Sequence, residues 1–147
     1  MKKREIKPAL EALKKIRMPK IEDKDVRNKL IKAHLFLLGQ FRKFNEAVED
    51  LRTVHLGDYV EKIQEINEKQ VQLNSETDEK KRKKLIDEIN SYTDVLSAIN
   101  AFNKDVIDLE NEDVDIEKIS GSSFVDEYGK MEDYDASVME ALFPMFE

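Results

Sequence analysis

Cysteine and tryptophan are absent, histidine occurs twice, and the 147 residues include only four glycines and three prolines. Without cysteine there are no disulfides, no thiol nucleophile and no thiolate metal site, and a reducing compartment is acceptable. The glycines stand alone at Gly39, Gly57, Gly121 and Gly129, so no glycine-rich loop can cradle a phosphate. The longest unbroken apolar run, Leu35–Leu38, is far too short to span a bilayer. Basic Met1–Arg4 leads into mixed sequence and not into an apolar stretch, so no secretion signal is expected. A soluble, intracellular protein with no membrane contact is the resulting expectation.

What the chain does contain is helical periodicity. Val26, Leu30, Ala33, Leu37, Phe41, Phe44, Val48, Leu51 and His55 recur in steps of three and four, close to the turn of an α-helix. A second series answers it: Leu85, Ile89, Tyr92, Leu96, Ile99, Asn103 and Val106. Neither stripe can be hidden from water by its own helix, so the two predict a long antiparallel hairpin with a coiled-coil-like seam. Apolar residues make up 40% and charged residues 39%, which suits exposed helices with narrow buried faces. The fold class expected is therefore all-α. One domain over 1–147 is expected, with a basic N-terminal helix in 1–20, the hairpin in 22–109, and an acidic extended segment plus a short helix in 110–147.

Boundaries follow from local chemistry. Met18-Pro19 ends the first helix, because a residue before proline is pushed out of helical dihedrals. Acidic Glu22, Asp23 and Asp25 suit the positive end of the next helix. Gly39 costs that helix about 1 kcal/mol relative to alanine and leaves room for a close neighbour. At Gly57 the helix either breaks or bends. Leu56, Val60, Ile63 and Ile66 keep the spacing, so continuation to about Leu73 is favoured. Asn74–Thr77 makes the turn, with Ser75 or Thr77 as caps, and a third helix runs on to about Leu109. Glu110–Glu117 alternates acidic and apolar residues, as an extended segment does. Ser120–Ser123 reads as a flexible connector. Asp133 or Asp135 starts a last helix carrying Val138, Met139, Leu142 and Phe143, and the greasy end at Met145 and Phe146 either docks onto the hairpin, which is favoured, or stays free for a partner.

Charge is unevenly placed within a net −7. Met1–Lys20 carries eight basic residues against two acidic ones, whereas Asp105–Glu147 carries fourteen acidic residues against Lys118 and Lys130. Either the two ends neutralise each other or they serve different partners.

No catalytic constellation emerges. His34 and His55 lie twenty-one residues apart on one helix, too far to share a metal. Glu-x-x-His pairs, which a di-iron bundle requires, are missing. Asp108, Glu110, Glu112, Asp113, Asp115 and Glu117 invite a calcium reading, but no register supplies the glycine that a calcium-binding loop needs. Ser122, Ser123 and Ser137 have no histidine nearby in sequence. No enzyme, cofactor or metal is expected. The basic clusters Lys2–Arg4 with Lys14–Arg17, and Lys80–Lys84, lack interleaved aromatics, which argues against direct nucleic-acid binding.

The order of pieces carries a resemblance. Leu10-x-x-Leu13 leads to Met18-Pro19-Lys20; a long helix bears Arg27, Lys32, Glu46, Glu49 and Arg52; acidic Leu109–Ile116 follows; Ser137–Leu142 closes the chain. This resembles small helical proteins of tailed phages and prophages, over roughly 6–52 and 106–143. The resemblance implies a viral setting in the host cytoplasm or on the virion, and a non-catalytic role. Protein–protein binding in virion structure or assembly is the expected function, with phage or host proteins as partners. Candidate contacts are Leu142, Phe143, Met145 and Phe146, with Phe36 and Phe102 as leftover positions. A second expectation is an inhibitor of a host defence protein, with Asp113, Asp115 and Glu117 standing in for nucleic acid, as anti-CRISPR proteins do. A third is a self-associating helical adaptor.

Overall fold

The computed structural model describes residues 1–147. Seven helices follow one another: α1 (Ile6–Lys15), α2 (Lys24–Leu56), α3 (Val60–Ser75), α4 (Glu79–Asn90), α5 (Thr93–Glu110), α6 (Gly121–Tyr128) and α7 (Ala136–Leu142). Short 3-10 turns stand at Lys3–Glu5, Met18–Lys20, Gly57–Tyr59 and Phe143–Met145. The fold is all-α, with two isolated β-bridges and no strand, and no helix is long and apolar enough to cross a membrane. Expected as one domain, the chain gathers its contacts in two compact units, Met1–Glu46 with Leu109–Glu147, and Ala47–Asp108.

The first unit holds nearly all of the deep core. α1 buries Ile6, Ala9, Leu10, Ala12 and Leu13 on one face. Pro8 costs it nothing, since an amide in the first turn has no helical partner to lose. Asp23 caps α2 as expected, its Oδ1 accepting from the Asp25 and Val26 amides at 2.9 and 3.2 Å. α2 then contributes Val26, Leu30, Ala33 and Leu37, all under 7% exposed. α7 packs on α1, capped by Asp135, which accepts from the Ser137 amide at 2.9 Å. Ser120–Ser123 is not a connector. Ser120 caps α6, and Phe124 and Tyr128 on that helix are buried and stacked, 5.3 Å between ring centroids.

Residues 111–119 form an extended strap pinned at both ends by the chain termini. At one end the Val114 amide donates to the Met1 carbonyl at 2.8 Å and the Lys3 amide to the Glu112 carbonyl at 3.0 Å. At the other, the Ile119 amide donates to Met145 and the Glu147 amide to Ile119, both at 3.0 Å. Alternation does what an extended chain demands: Val114 and Ile116 are buried, while Asp113, Asp115 and Glu117 are exposed.

In the second unit the helical path continues through Gly57, as the spacing requires, with one 3-10 turn linking α2 to α3. α3 and α4 pair antiparallel around the turn at 76–78. Its cap is Asp78, which accepts from the Lys80 and Lys81 amides, and not Ser75 or Thr77. Cross-links run in opposite sequence directions: His55 to Asp105 at 2.7 Å, Glu65 to Tyr92 at 2.8 Å, and Lys69 to Glu88 at 3.0 Å. The expected single third helix is two. The Ser91 hydroxyl donates to the Glu88 carbonyl at 2.6 Å, and the chain turns at 91–92 between α4 and α5. That break rotates the buried face. Val95 and Phe102 are buried on α5, whereas the expected Leu96 is half-buried and Asn103 exposed.

Candidate protein-binding surface

Each expected contact residue has a definite place. Leu142 and Met145 are fully buried in the first unit and half-buried Phe146 tilts against Phe124, so only Phe143 of the apolar end is exposed, at 68%. The end docks into the core of the first unit. Phe102 is not a leftover: it is buried, and the Arg52 guanidinium lies over its ring at 5.1 Å. Phe36 is 39% exposed. It edges a groove of about 240 Å³ in the first unit, lined also by Lys29, Lys32, Ala33, Ile116 and the carboxylates Asp115 and Glu117.

Four of the eight basic residues at the N-terminal end pair with carboxylates of the acidic end. Lys2 pairs with Asp113 at 2.7 Å and Lys3 with Glu112. Lys15 and Arg17 approach Asp135 and Asp133 at 3.9 and 3.5 Å. The hydrogen bond from Lys2 holds the Asp113 carboxyl below its ordinary range, since it favours the charged form. Of the three acidic candidates Asp113 is thus engaged, while Asp115 and Glu117 remain exposed and outside any ion pair. Elsewhere Lys69 lowers Glu88 and is itself raised, through the hydrogen bond they share. Burial raises Tyr128, whose hydroxyl accepts from the Asp135 amide at 3.0 Å.

The surface that sequence reasoning missed lies on α2. Its core face is filled by Leu30, Ala33 and Leu37, yet Ile31, Leu35 and Leu38 on the other side are 40%, 66% and 42% exposed. Their spacing of four and three puts them in one line over about 10 Å. Gly39 lies beside this line, and a methyl group placed on it would meet nothing within 4 Å. No helix of the folded chain uses the close approach that Gly39 permits. The signal was present in Leu35–Leu38: four consecutive apolar residues encircle a helix and cannot all face one core.

His34 is half-buried beside this face, and no group of three or more His, Asp or Glu side chains converges as metal ligands. Compared with protein-family models, curated proteins and solved structures, the chain matches none. The arrangement offers apolar contact and charge.

Proposed function

We propose that this chain is a non-catalytic helical module that acts by binding another protein. The setting we assign to it is virion structure or assembly in a tailed phage, on the resemblance carried by Leu10–Lys20, the long helix bearing Arg27, Lys32, Glu46, Glu49 and Arg52, and the acidic stretch. One observation carries the binding reading: α2 keeps Ile31, Leu35 and Leu38 in water while its opposite face is fully packed. Apolar surface gains roughly 25 cal/mol per Å² when it leaves water, so a contiguous exposed line is a ready association site. Affinity capture from infected cells, with partners identified by mass spectrometry, tests the reading. Capsid or tail components, or their assembly intermediates, should be retained by the native chain and lost with Leu35→Glu. Retention of the same proteins by both chains contradicts it, and absence from particles and intermediates removes the virion setting.

A second reading, inhibition of a host defence protein by an acidic surface, is favoured by Asp115 and Glu117, which project from the strap outside any ion pair. Binding would then fall steeply with salt and collapse with Asp115→Asn and Glu117→Gln. Salt-independent binding contradicts it.

A further inference from the structure

On α2 itself the line of apolar residues is flanked by charge of one sign, with Asp115 and Glu117 of the strap across the groove from Lys32. Lys24, Lys32, Arg42 and Lys43 are all exposed on the same stretch of helix, and none of them has an ion-pair partner in the chain. Of the nearest acidic residues on α2, Asp25 is taken by Lys29 at 3.5 Å, and Glu46 is exposed beyond Arg42 and Lys43. In the N-terminal segment Lys2, Lys3, Lys15 and Arg17 find a carboxylate of the same unit, while Arg4, Lys7, Lys14 and Lys20 do not. Within a molecule of net charge −7, the stretch 26–45 of α2 carries five basic residues and no acidic one.

We infer that the occupant of this face is an acidic amphipathic helix of another protein, an inference that rests on the protein-binding reading above. Its apolar residues, spaced as i, i+4 and i+7, lie along Ile31, Leu35 and Leu38, and its flanking carboxylates meet Lys24, Lys32, Arg42 and Lys43. Gly39 gives the partner backbone a place to approach α2 closely. A second copy of this chain is the weaker fit, because α2 against α2 sets cation against cation. The exposed apolar residues of the other helices, Val60, Val71, Ile86 and Ile107 among them, do not recur at i, i+4 and i+7. An anionic membrane fits less well too, because a flat surface reaching Phe36 and Lys32 also meets Asp115 and Glu117 across the groove.

Fluorescence anisotropy with the full chain tests this, using a stapled helical peptide with leucines at i, i+4 and i+7 and glutamates on both flanks. A matched peptide with lysine flanks is the control. The glutamate peptide should bind at least roughly ten-fold more tightly than the lysine peptide, and the preference should shrink with added salt. Leu35→Glu and, separately, Leu38→Ser should abolish binding with the circular dichroism spectrum unchanged. The combined Lys32→Glu, Arg42→Glu and Lys43→Glu chain should prefer the lysine peptide. Equal affinity for both peptides, or binding that survives both apolar substitutions, overturns the inference. Tight binding to vesicles containing about one-quarter phosphatidylserine, lost with Leu35→Glu, reassigns the face to a membrane and overturns it as well. So does a dimer in sedimentation that Leu35→Glu dissociates. A cellular partner lost with Leu35→Glu but kept by the charge-reversed chain overturns the acidic helix while leaving the binding reading intact; no partner that depends on Leu35 ends both.

Discussion

Leu35 and Leu37 stand two residues apart on one helix in opposite surroundings, and truncating each to alanine separates packing from every other property of the site. Leu37 is fully buried in the core of the first unit, whereas Leu35 is 66% exposed. Both substitutions leave helix propensity almost unchanged, since alanine and leucine are both good helix formers. Leu37→Ala removes a buried isobutyl group and leaves a void in the core of the first unit, which costs about 3 kcal/mol. For a chain of this size that lowers Tm by roughly 6–12 °C. Leu35→Ala removes side chain that is already largely in water and should stay within about 0.5 kcal/mol of the parent. Thermal and urea unfolding followed by circular dichroism measure both. A Leu35→Ala cost matching that of Leu37→Ala would show the outer face to be covered in the isolated protein, and the reasoning about α2 would fail. A Leu37→Ala cost below about 1 kcal/mol would refute the core assignment just as directly.

Three further outcomes are expected. Gly39→Ala should stabilise the chain by about 1 kcal/mol, because nothing in the fold requires glycine in that helix interior; unchanged or lowered stability in a urea titration would contradict this. Asp78→Ala should cost about 1 kcal/mol and speed amide exchange at Lys80 and Lys81, since its carboxylate caps α4; unaltered exchange there would refute the cap. Asp113, Glu88 and Asp135 have pKa values held down by Lys2, Lys69 and Ser137 respectively, so the unfolded chain binds their protons more readily. Their contribution is fully present above the ordinary carboxylate range of about 3.9–4.3 and is lost as pH falls through the lower folded values. Tm should therefore drop on acidification through that range, and drop less in the Asp113→Asn chain; an identical drop would contradict the pairing with Lys2.

How much was legible in the sequence depends on whether the responsible force is local. Val26 to Leu37 declared a buried helical face, because a 3.6-residue period survives in any environment. Continuation through Gly57 was legible for the same reason: a 3-10 turn keeps the chain helical, and Ile63 and Ile66 hold the spacing on its far side. The break at 91–92 was hidden, since Leu85, Ile89, Tyr92 and Leu96 keep their period across a point where the backbone does not. α6 is hidden because Ser120-Gly121-Ser122-Ser123 has the composition of a linker, although its first serine is a cap. The pinning of the strap by Met1 and Met145 left no trace at all, as hydrogen bonds between residues so distant in sequence impose no pattern on either segment. At the candidate surface, Phe36 was found, whereas Leu35 and Leu38 were not. A stripe search asks which residues face the core, and residues on the other side of the same helix fall outside it.

The most direct test of that surface uses the absence of cysteine, which allows a single thiol to be placed at will. In the isolated protein, Leu35→Cys should react with a maleimide as fast as Val71→Cys, at a position that is 68% exposed. Addition of the captured partner should slow the reaction at position 35 and leave position 71 unchanged. A thiol at 35 that is shielded in the isolated chain, or one that the partner fails to protect, would contradict the claim that α2 is the docking face.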